Sequence, residues 1–308
     1  MADSPDLPPL DDATAAWLCE HLPAGWEGAQ LVAETKRSRV VRLATAEGAR
    51  YFKQDLILPP PEATILARLA PRWPGHIAPV VALDEARGWS LTEDVGPRGL
   101  DGAETPAWCE VVEAFARVQL DTGLAPEEWI ALGCRDLRGE RLLGAVDAML
   151  TDMRPHLDDE TGARLDAQRP RVAAACDELA GDGIPATLVH QDLVPENLVL
   201  GAAGPVFIDW SDTVVGHPFF GPDRLLDSCW GDAERKAAVI DAYLGAYEGV
   251  AAPDRLRASF DAMLSLRVLY EDVRWHHELR EVDPESEHAR RMRADLVHGL
   301  GLVAGQPV

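Results

Sequence analysis

Short runs of alternating apolar and polar residues mark the first third of the chain. Alternation with a period of two predicts β-strands that bury one face. The predicted strands are residues 29–34, 39–45, 49–54, 77–83 and 89–92. Helical spacing predicts a helix at 11–22 and another from near Glu62 to Pro71, which follows a proline break at 59–61. A turn at 46–48 predicts a hairpin. This order predicts a small sheet with one helix inserted between its strands.

From about residue 96 the apolar residues recur at intervals of three and four, which predicts helices. The predicted helices are residues 105–120, 137–153, 161–179, 233–247, 253–278 and 284–300. Thr105 is the predicted N-cap of the first, with Pro106 in its first helical position. Pro170 is a candidate break in the third. A strand–loop–strand at 187–209 lies alone among the helices, and the domain boundary is predicted near residue 95, giving domains 1–95 and 96–308.

The length and composition set limits on the class of protein. A chain of 308 residues with 47% hydrophobic residues is typical of a globular protein with two domains or one bilobal unit. No apolar run is long enough to cross a membrane, and the first residues lack the features of a signal peptide. Five cysteines without a C-x-x-C pair predict free thiols. We therefore expect a cytoplasmic protein without a membrane partner.

The formal net charge of −23 bears on the partners. Nucleic acid polymers are not expected partners, because binding them needs a basic surface. Such a charge favours a cationic ligand, which it attracts at low salt. The alternative is that the charge serves solubility alone.

A His, an Asp and an Asn follow the pattern H-x-D-x-x-x-x-N at His190, Asp192 and Asn197, and a second acid, Asp209, ends the apolar segment 206–208. In phosphoryl transfer one carboxylate accepts the hydroxyl proton, while an amide and a second carboxylate hold Mg²⁺ on the nucleotide phosphates. The pattern predicts Asp192 as the base and Asn197 and Asp209 as the magnesium ligands. Their alternatives are a loop acid, a turn cap and an arginine partner. His190 is predicted to be structural.

Lys53 is the second candidate for this chemistry. The chain has only three lysines, Lys36, Lys53 and Lys236, and Lys53 lies within an apolar strand. A lysine on the third strand that grips nucleotide phosphates would explain a compact cation there. Glu62, in the first turn of the following helix, is its predicted partner. The alternative is a strand-edge lysine and a helix N-terminal acid.

The segment between the first two strands, residues 34–39, contains no glycine. Kinases usually have glycines in the loop that covers the phosphates. We expect Ser38 and the backbone amides of this turn to bind phosphate instead. The chain also lacks G-x-x-x-x-G-K and G-x-G-x-x-G, so P-loop and dinucleotide-binding folds have no support.

With these motifs the chain resembles the aminoglycoside phosphotransferase/choline kinase-like family, relatives of protein kinases. The resemblance extends over residues 31–226 and is carried by residues 189–192, 197, 208–210, 216–218 and 223–226. Ile208-Asp209-Trp210 replaces the Asp-Phe-Gly of protein kinases, and no Ala-Pro-Glu follows, which favours the small-molecule branch. The resemblance implies an α+β, bilobal protein-kinase-like fold with a small antiparallel-sheet N-lobe, one helix in it, and a mainly helical C-lobe.

The resemblance also implies roles for further residues. Residues 91–96 resemble the hinge, where the backbone near Glu93 and Val95 would meet the purine of ATP or GTP. Asp223 resembles the acid that braces the catalytic loop. In this family the C-terminal helices bind the acceptor, so four residues of the helix at 253–278 become candidates for that site. These candidates are Tyr270, Glu271, Asp272 and Trp275. The alternative is that they form helix surface and core contacts.

These observations predict a kinase, monomeric or weakly dimeric, that moves the γ-phosphoryl group of ATP to a hydroxyl of a small molecule with Mg²⁺. An aminoglycoside-like or other cationic antibiotic is the first candidate acceptor. A sugar, an amino alcohol or an amino-acid hydroxyl follows closely. The hypothesis from another class is a non-catalytic nucleotide-binding, kinase-like module, which the glycine-free turn supports.

Overall fold

The computed structural model describes residues 10–56, 62–121, 125–201, 203–229 and 231–305. The proline break predicted at 59–61 lies outside the described residues. Contacts divide the chain into two compact units. The first unit comprises residues 1–122, 131–134 and 192–213, and the second comprises 123–130, 135–191 and 214–308. The boundary placed near residue 95 is a different division, made on composition, and it stays a prediction.

Ten strands are found in the described residues. They are β1 Gly28–Glu34, β2 Ser38–Thr45, β3 Gly48–Asp55, β4 Val80–Asp84, β5 Trp89–Glu93, β6 Arg135–Leu137, β7 Thr187–His190, β8 Leu198–Gly201, β9 Gly204–Phe207 and β10 Thr213–Gly216. The first five form one antiparallel sheet in the order β1-β2-β3-β5-β4. The five strands predicted in this region are therefore confirmed, and each predicted end lies within three residues of the observed one.

Ten α-helices are found in the same described residues. They are α1 Asp12–His21, α2 Glu62–Leu69, α3 Thr105–Leu120, α4 Pro126–Ala131, α5 Gly139–Met153, α6 Asp159–Gly181, α7 Asp223–Asp227, α8 Ala233–Gly245, α9 Pro253–Leu279 and α10 Glu287–Ala304. Two local predictions are wrong. Thr105 is the first helical residue of α3 and Glu104 is its N-cap, and α6 continues through Pro170 without a break.

The alternation of side chains on β3 decides which residues reach the site. Phe52 is fully buried and packs with Leu91 of β5 and Trp17 of α1 in one apolar cluster. Successive side chains of a strand point to opposite faces, so Tyr51 and Lys53 lie on the other face of the sheet. The sheet thus has one face covered by α1 and one face that carries Lys53.

A short antiparallel hairpin, β8–β9, also belongs to the first unit. Leu198 pairs with Phe207 at its base. Phe207 is fully buried and its ring lies 5.4 Å from that of Phe115 on α3. This packing fixes the hairpin, which follows directly on the residues of the H-x-D-x-x-x-x-N pattern.

The second unit is mainly helical. Its longest helix, α9, packs against α5, α6, α8 and α10. Helical spacing explains this, because buried residues such as Leu256, Phe260 and Met263 recur at intervals of three and four. A three-stranded sheet, in the order β6-β10-β7, adjoins the helices, and β6 and β10 pair in parallel. None of the described helices is long and apolar enough to cross a membrane.

Candidate active site

The β8–β9 hairpin brings Asn197 and Asp209 to one end. Leu198 pairs with Phe207, so the next residues outward, Asn197 and Ile208, lie opposite each other. The N–H of Ile208 donates to the carbonyl of Asn197 at 3.1 Å. Asp209 therefore directly follows a residue that is bonded to Asn197, and the two predicted magnesium ligands share one edge.

Asn197 is also bonded to the predicted base. Its Nδ2 donates to the carbonyl oxygen of Asp192 at 2.9 Å and to the Asp192 carboxylate at 3.2 Å. Asn197 is buried, and the chain bends at Pro195–Asn197 in one turn of 3₁₀ helix. Because Nδ2 is held by Asp192, the amide oxygen is the atom that Asn197 would present to a cation.

Asp209 has an unusual backbone conformation. Its φ of 63° and ψ of 62° make it the one non-glycine residue with positive φ in the described part of the chain. A left-handed conformation is uncommon for residues other than glycine and is found often at functional sites. The side chain of Asp209 is 45% exposed, so the strained backbone presents a solvent-accessible carboxylate.

Lys53 is the centre of a cluster of oxygen atoms. Its Nζ lies 2.7 Å from Glu62 Oε2, 2.6 Å from Asp209 Oδ1 and 2.5 Å from Ser211 Oγ. The hydroxyl of Ser211 donates in turn to Asp209 Oδ1 at 2.8 Å. We call Lys53, Glu62, Asp209 and Ser211 the lysine cluster. The structure thus brings together the predicted lysine, its predicted partner and one predicted metal ligand.

Both oxygens of the Glu62 carboxylate are used. One accepts from Lys53, and the other accepts from the N–H of Trp210 at 2.8 Å. The N–H of Glu62 itself donates to Asp55 Oδ2 at 2.7 Å. The first residue of α2 is therefore tied both to β3 and to the segment that follows Asp209.

The electrostatics of the lysine cluster follow from burial and from its acids. Burial of Lys53 favours its neutral form, yet Glu62, Asp209 and Asp55 together raise the pKa of this lysine above its ordinary value. Burial likewise raises the pKa of Asp55 to about 7, although Lys53 acts to lower it. Lys53 is therefore a permanent cation, and Asp55 takes up a proton near neutral pH.

Asp55 and Ser211 are absent from the sequence-based site, and only Asp55 had a signal in the sequence. Asp55 is two residues after Lys53, so a strand places both side chains on the same face. Ser211 is two residues after Asp209, on a turn whose conformation is fixed by residues far away in the sequence. The first could have been found from periodicity, and the second could not.

The predicted hinge lines a cleft of the first unit. Lys53, Glu62 and Asp209 line this cleft together with Glu93 and Val95. The N–H of Glu93 donates to the carbonyl of Pro79 at 2.9 Å, so Glu93 would meet a purine through its carbonyl oxygen. The apolar walls are formed by Val40, Leu66, Ala78, Val199, Phe207 and Ile208. A purine ring, which is flat, has apolar faces and is polar at its edges, would fit between these walls.

Ser38 is not brought to this cleft. Its N–H donates to Thr35 Oγ at 3.0 Å, and its carbonyl accepts from the N–H of Thr35 at 2.9 Å. Within the described residues, the lining of the cleft does not include Ser38. The turn thus satisfies the backbone N–H and carbonyl groups of Ser38 internally, and the role in phosphate binding predicted for Ser38 and the turn amides stays a prediction.

The donor set fits a magnesium ion. Asn197 would supply an amide oxygen and Asp209 a carboxylate oxygen, and Mg²⁺ prefers oxygen ligands. In the part of the chain that the structure describes, no group of three or more His, Cys, Asp or Glu residues is placed to hold a metal. Two protein ligands suffice when nucleotide phosphate and water supply the rest.

Comparison with known proteins decides the family. The model of the phosphotransferase enzyme family, APH, matches residues 19–259. The chain belongs to this family. It is therefore a small-molecule phosphotransferase with a protein-kinase-like α+β fold, as the resemblance implied. No curated protein matches the sequence.

Solved structures similar to this phosphotransferase cover nearly all of it. A choline/ethanolamine kinase family protein from Mesorhizobium loti has a TM-score of 0.65 and 16% identity, covering 96% of this chain and 95% of that one. Macrolide 2′-phosphotransferase type I has a TM-score of 0.64 and 16% identity, covering 94% and 99%. A spectinomycin phosphotransferase, in complex with ADP and spectinomycin, has a TM-score of 0.55 and 12% identity, covering 98% and 100%. At these identities the likeness shows the fold alone.

The two residues predicted to support the catalytic loop lie in the second unit. His190 is the last residue of β7 and is fully buried, which fits a structural role. Asp223 begins α7, and its carboxylate lies 3.0 Å from Arg267 Nε of α9. Burial raises the pKa of Asp223 although Arg267 acts to lower it. The roles of both residues in this phosphotransferase stay predictions.

The four candidate acceptor residues lie on α9, where the sequence predicted them, but two of them are already engaged. The ring of Tyr270 is stacked on Phe220 with 3.9 Å between centroids. Glu271 Oε1 accepts from both Arg224 and Arg274, each at 3.3 Å. The negative charge of Glu271 is thus balanced by two guanidinium groups.

The other two candidates have different surroundings. Asp272 is buried against Gly299 of α10, where an added Cβ would come within 2.5 Å of Asp272 Oδ1. Burial, with help from Glu271, raises the pKa of Asp272 to about 7. The guanidinium of Arg274 lies 4.8 Å from the ring centroid of Trp275. The acceptor roles of these four residues therefore stay predictions.

Proposed function

We propose that the protein transfers the γ-phosphoryl group of ATP to a hydroxyl group of a small molecule. The observation that carries this proposal is the geometry of the first unit, where Lys53, Glu62 and Asp209 are joined by contacts of 2.6–2.7 Å. The pair Asp192–Asn197 stands beside them through the β8–β9 hairpin. A lysine–glutamate pair, a base and two oxygen ligands are the parts that phosphoryl transfer uses.

In the proposed reaction the acceptor hydroxyl gives its proton to Asp192. The acceptor oxygen then forms a bond to the γ-phosphorus, and the bond from that phosphorus to the β,γ-bridging oxygen breaks, so that ADP leaves. Lys53, held by Glu62, binds the α- and β-phosphates. Asn197 and Asp209 hold Mg²⁺, which when bound neutralises charge on the phosphates. The carbonyl of Glu93 and the backbone of Val95 orient the purine.

The acceptor is proposed only by class. The similar solved structures include a macrolide 2′-phosphotransferase and a choline/ethanolamine kinase family protein, so a cationic antibiotic and an amino alcohol are both candidates. The net charge of −23 favours a cation. The arrangement on α9 argues the other way, because Arg224 and Arg274 neutralise Glu271 and Asp272 is buried. Neutral sugars and amino-acid hydroxyls therefore stay in the set.

The second candidate function is a nucleotide-binding protein without catalysis. The observation in its favour is the turn at residues 35–38, where the N–H groups of Arg37 and Ser38 donate to Thr35 Oγ1 and not outward from the turn. The contact between Asn197 and Asp192 counts against it, because a binding protein has no need of a held base.

The test is a phosphorylation screen with ATP and Mg²⁺. Amino sugars, macrolides, neutral sugars, amino alcohols and amino acids are incubated with the protein, and each is examined by mass spectrometry for the addition of one phosphoryl group. We expect one class to be modified, and Asp192→Asn to abolish the modification while ATP binding persists. Tight ATP binding with no product from any class, and no acceptor-independent ATP hydrolysis, would support the binding protein instead.

We also propose that the protein is cytoplasmic. Its oligomeric state is proposed to be monomeric or weakly dimeric. A single peak of monomer mass in light scattering, unchanged on dilution, is the result we expect for the second.

A further inference from the structure

The glycine-free turn between β1 and β2 closes on itself through one side chain. Thr35 Oγ accepts from the N–H of Arg37 at 3.1 Å and from the N–H of Ser38 at 3.0 Å. Glycine-rich loops bind phosphate through backbone N–H groups. Here those of Arg37 and Ser38 are satisfied within the turn, so a phosphate needs another donor from it.

Arg37 is held at both ends. Its carbonyl accepts from the N–H of Leu56, at the end of β3, at 2.7 Å. Its Nη2 lies 2.7 Å from Asp212 Oδ1, and the two side chains are 34% and 17% exposed. The turn therefore does not project its arginine into solvent but lays it across to a fixed carboxylate.

Asp212 connects this ion pair to the lysine cluster along the chain. Asp212 is three residues after Asp209 in the same 3₁₀ turn, and Ser211 between them contacts Lys53 at 2.5 Å. The guanidinium of Arg37 is thus paired with a carboxylate three residues from Asp209 and next to Ser211, two members of the lysine cluster. All of these residues belong to the first unit.

We propose that Arg37 binds the terminal phosphate of the nucleotide through its guanidinium group, and that Asp212 holds this group only while no nucleotide is present. This inference rests on the proposed kinase function. A guanidinium matches phosphate oxygens with two parallel hydrogen bonds. The pair with Asp212 is partly exposed, and a phosphate offers the guanidinium charged oxygens in place of the carboxylate, so Arg37 keeps a charge-assisted contact in the exchange.

The first test is nucleotide binding measured by calorimetry in the presence of Mg²⁺. Arg37→Ala should weaken a non-hydrolysable ATP analogue by about tenfold to a hundredfold, the loss of one charge-assisted hydrogen-bonded contact, and should weaken ADP less. The matched control is Lys36→Ala, which removes an exposed cation from the same turn and should change neither affinity. Arg37→Gln serves as a second variant that removes the charge but keeps a polar side chain. Melting temperatures without nucleotide check that each variant is folded.

The second test is the sign of the effect at Asp212. Asp212→Asn should tighten binding of the ATP analogue, because Arg37 is released, and this gain should vanish in the Arg37→Ala/Asp212→Asn double variant. A purely structural ion pair would make both single variants weaker. A gain that persists in the double variant would show that Asp212 acts by general repulsion, and would overturn the exchange.

The two proposals fail in different ways. If the wild-type protein binds neither ADP nor the ATP analogue, the proposed function is wrong. If it binds both and Arg37→Ala behaves like Lys36→Ala, only the role of Arg37 is wrong.

Discussion

Replacing Lys53 by methionine removes a buried cation from its contacts with the buried Glu62 and the half-exposed Asp209. The Lys53 side chain is 11% exposed, and its ammonium lies 2.7 Å from Glu62 and 2.6 Å from Asp209. Removal of one partner of a buried ion pair costs about 3–5 kcal/mol. We expect the free energy of unfolding to fall by about this amount at pH 8, and ATP use to be lost.

The matched control is Lys236→Met. Lys236 lies 3.7 Å from Asp227, and the two side chains are 37% and 50% exposed. Exposed pairs contribute between about 0 and 1 kcal/mol. The control should therefore lose less than about 1 kcal/mol, with ATP use unchanged.

The loss of stability in Lys53→Met should also depend on pH. Burial raises the pKa of Asp55 to about 7, and Lys53 acts against this rise, so the methionine variant should raise the pKa further. The folded protein keeps the proton of Asp55 up to about pH 7, whereas the unfolded chain releases it at about pH 4. The folded protein therefore loses stability as the pH rises between these two values. The loss caused by Lys53→Met should therefore be larger at about pH 8 than at about pH 5.

The assay is urea unfolding followed by circular dichroism at both pH values, for wild type and both variants. Equal losses in the two lysine variants, or a Lys53→Met loss that does not change with pH, would refute the reasoning about the buried acids. Retained ATP use in Lys53→Met would remove this lysine from the site.

Three further predictions concern separate sites. Asp192→Asn should lower kcat by about 10²- to 10⁴-fold with unchanged affinity for an ATP analogue. Glu196→Gln, at an exposed position of the same loop, should leave kcat unchanged. A loss of ATP-analogue affinity in Asp192→Asn as large as its loss of kcat would argue against Asp192 as the base. Gly299→Ala should destabilise by about 1–3 kcal/mol because its Cβ would meet Asp272 at 2.5 Å, whereas Gly301→Ala, with open space around it, should be neutral or stabilising in thermal melts. Because burial raises the pKa of Asp272 to about 7, stability should fall as the pH rises from about 4 to 7, and Asp272→Asn should flatten that curve; an unaltered curve would contradict the shift.

Local sequence patterns were sufficient for the elements that the site is built on. The alternation on β3 places Phe52 in the core and Lys53 on the opposite face, and both consequences follow from a period of two. The spacing of Asp192 and Asn197 predicted their proximity, which the structure confirms with a contact of 3.2 Å. Their roles in catalysis stay predictions.

Contacts between distant segments were beyond the sequence. The short strands β6 and β10 pair across some 80 intervening residues, and three residues carry no periodic signal that such a pairing would need. The pair Arg37–Asp212 joins residues 175 positions apart.

The acceptor candidates on α9 show the same limit from the other side. An aromatic and acidic mixture on one helix suggested a site for a hydroxylated amine. The structure gives Glu271 two arginine partners and buries Asp272 against Gly299. Helical spacing placed these four residues on one helix, as the structure does. Only the packing of α9 against its neighbours decides what each of them contacts.

The most direct test of the account is the magnesium dependence of ATP-analogue binding, measured by calorimetry for wild type and Asp209→Asn. We predict that wild type binds the analogue much more tightly with Mg²⁺ than without it, and that Asp209→Asn binds it with nearly the same affinity in both conditions. Equal affinity of wild type with and without Mg²⁺, or a full magnesium effect in Asp209→Asn, would contradict a metal and nucleotide site built on this carboxylate.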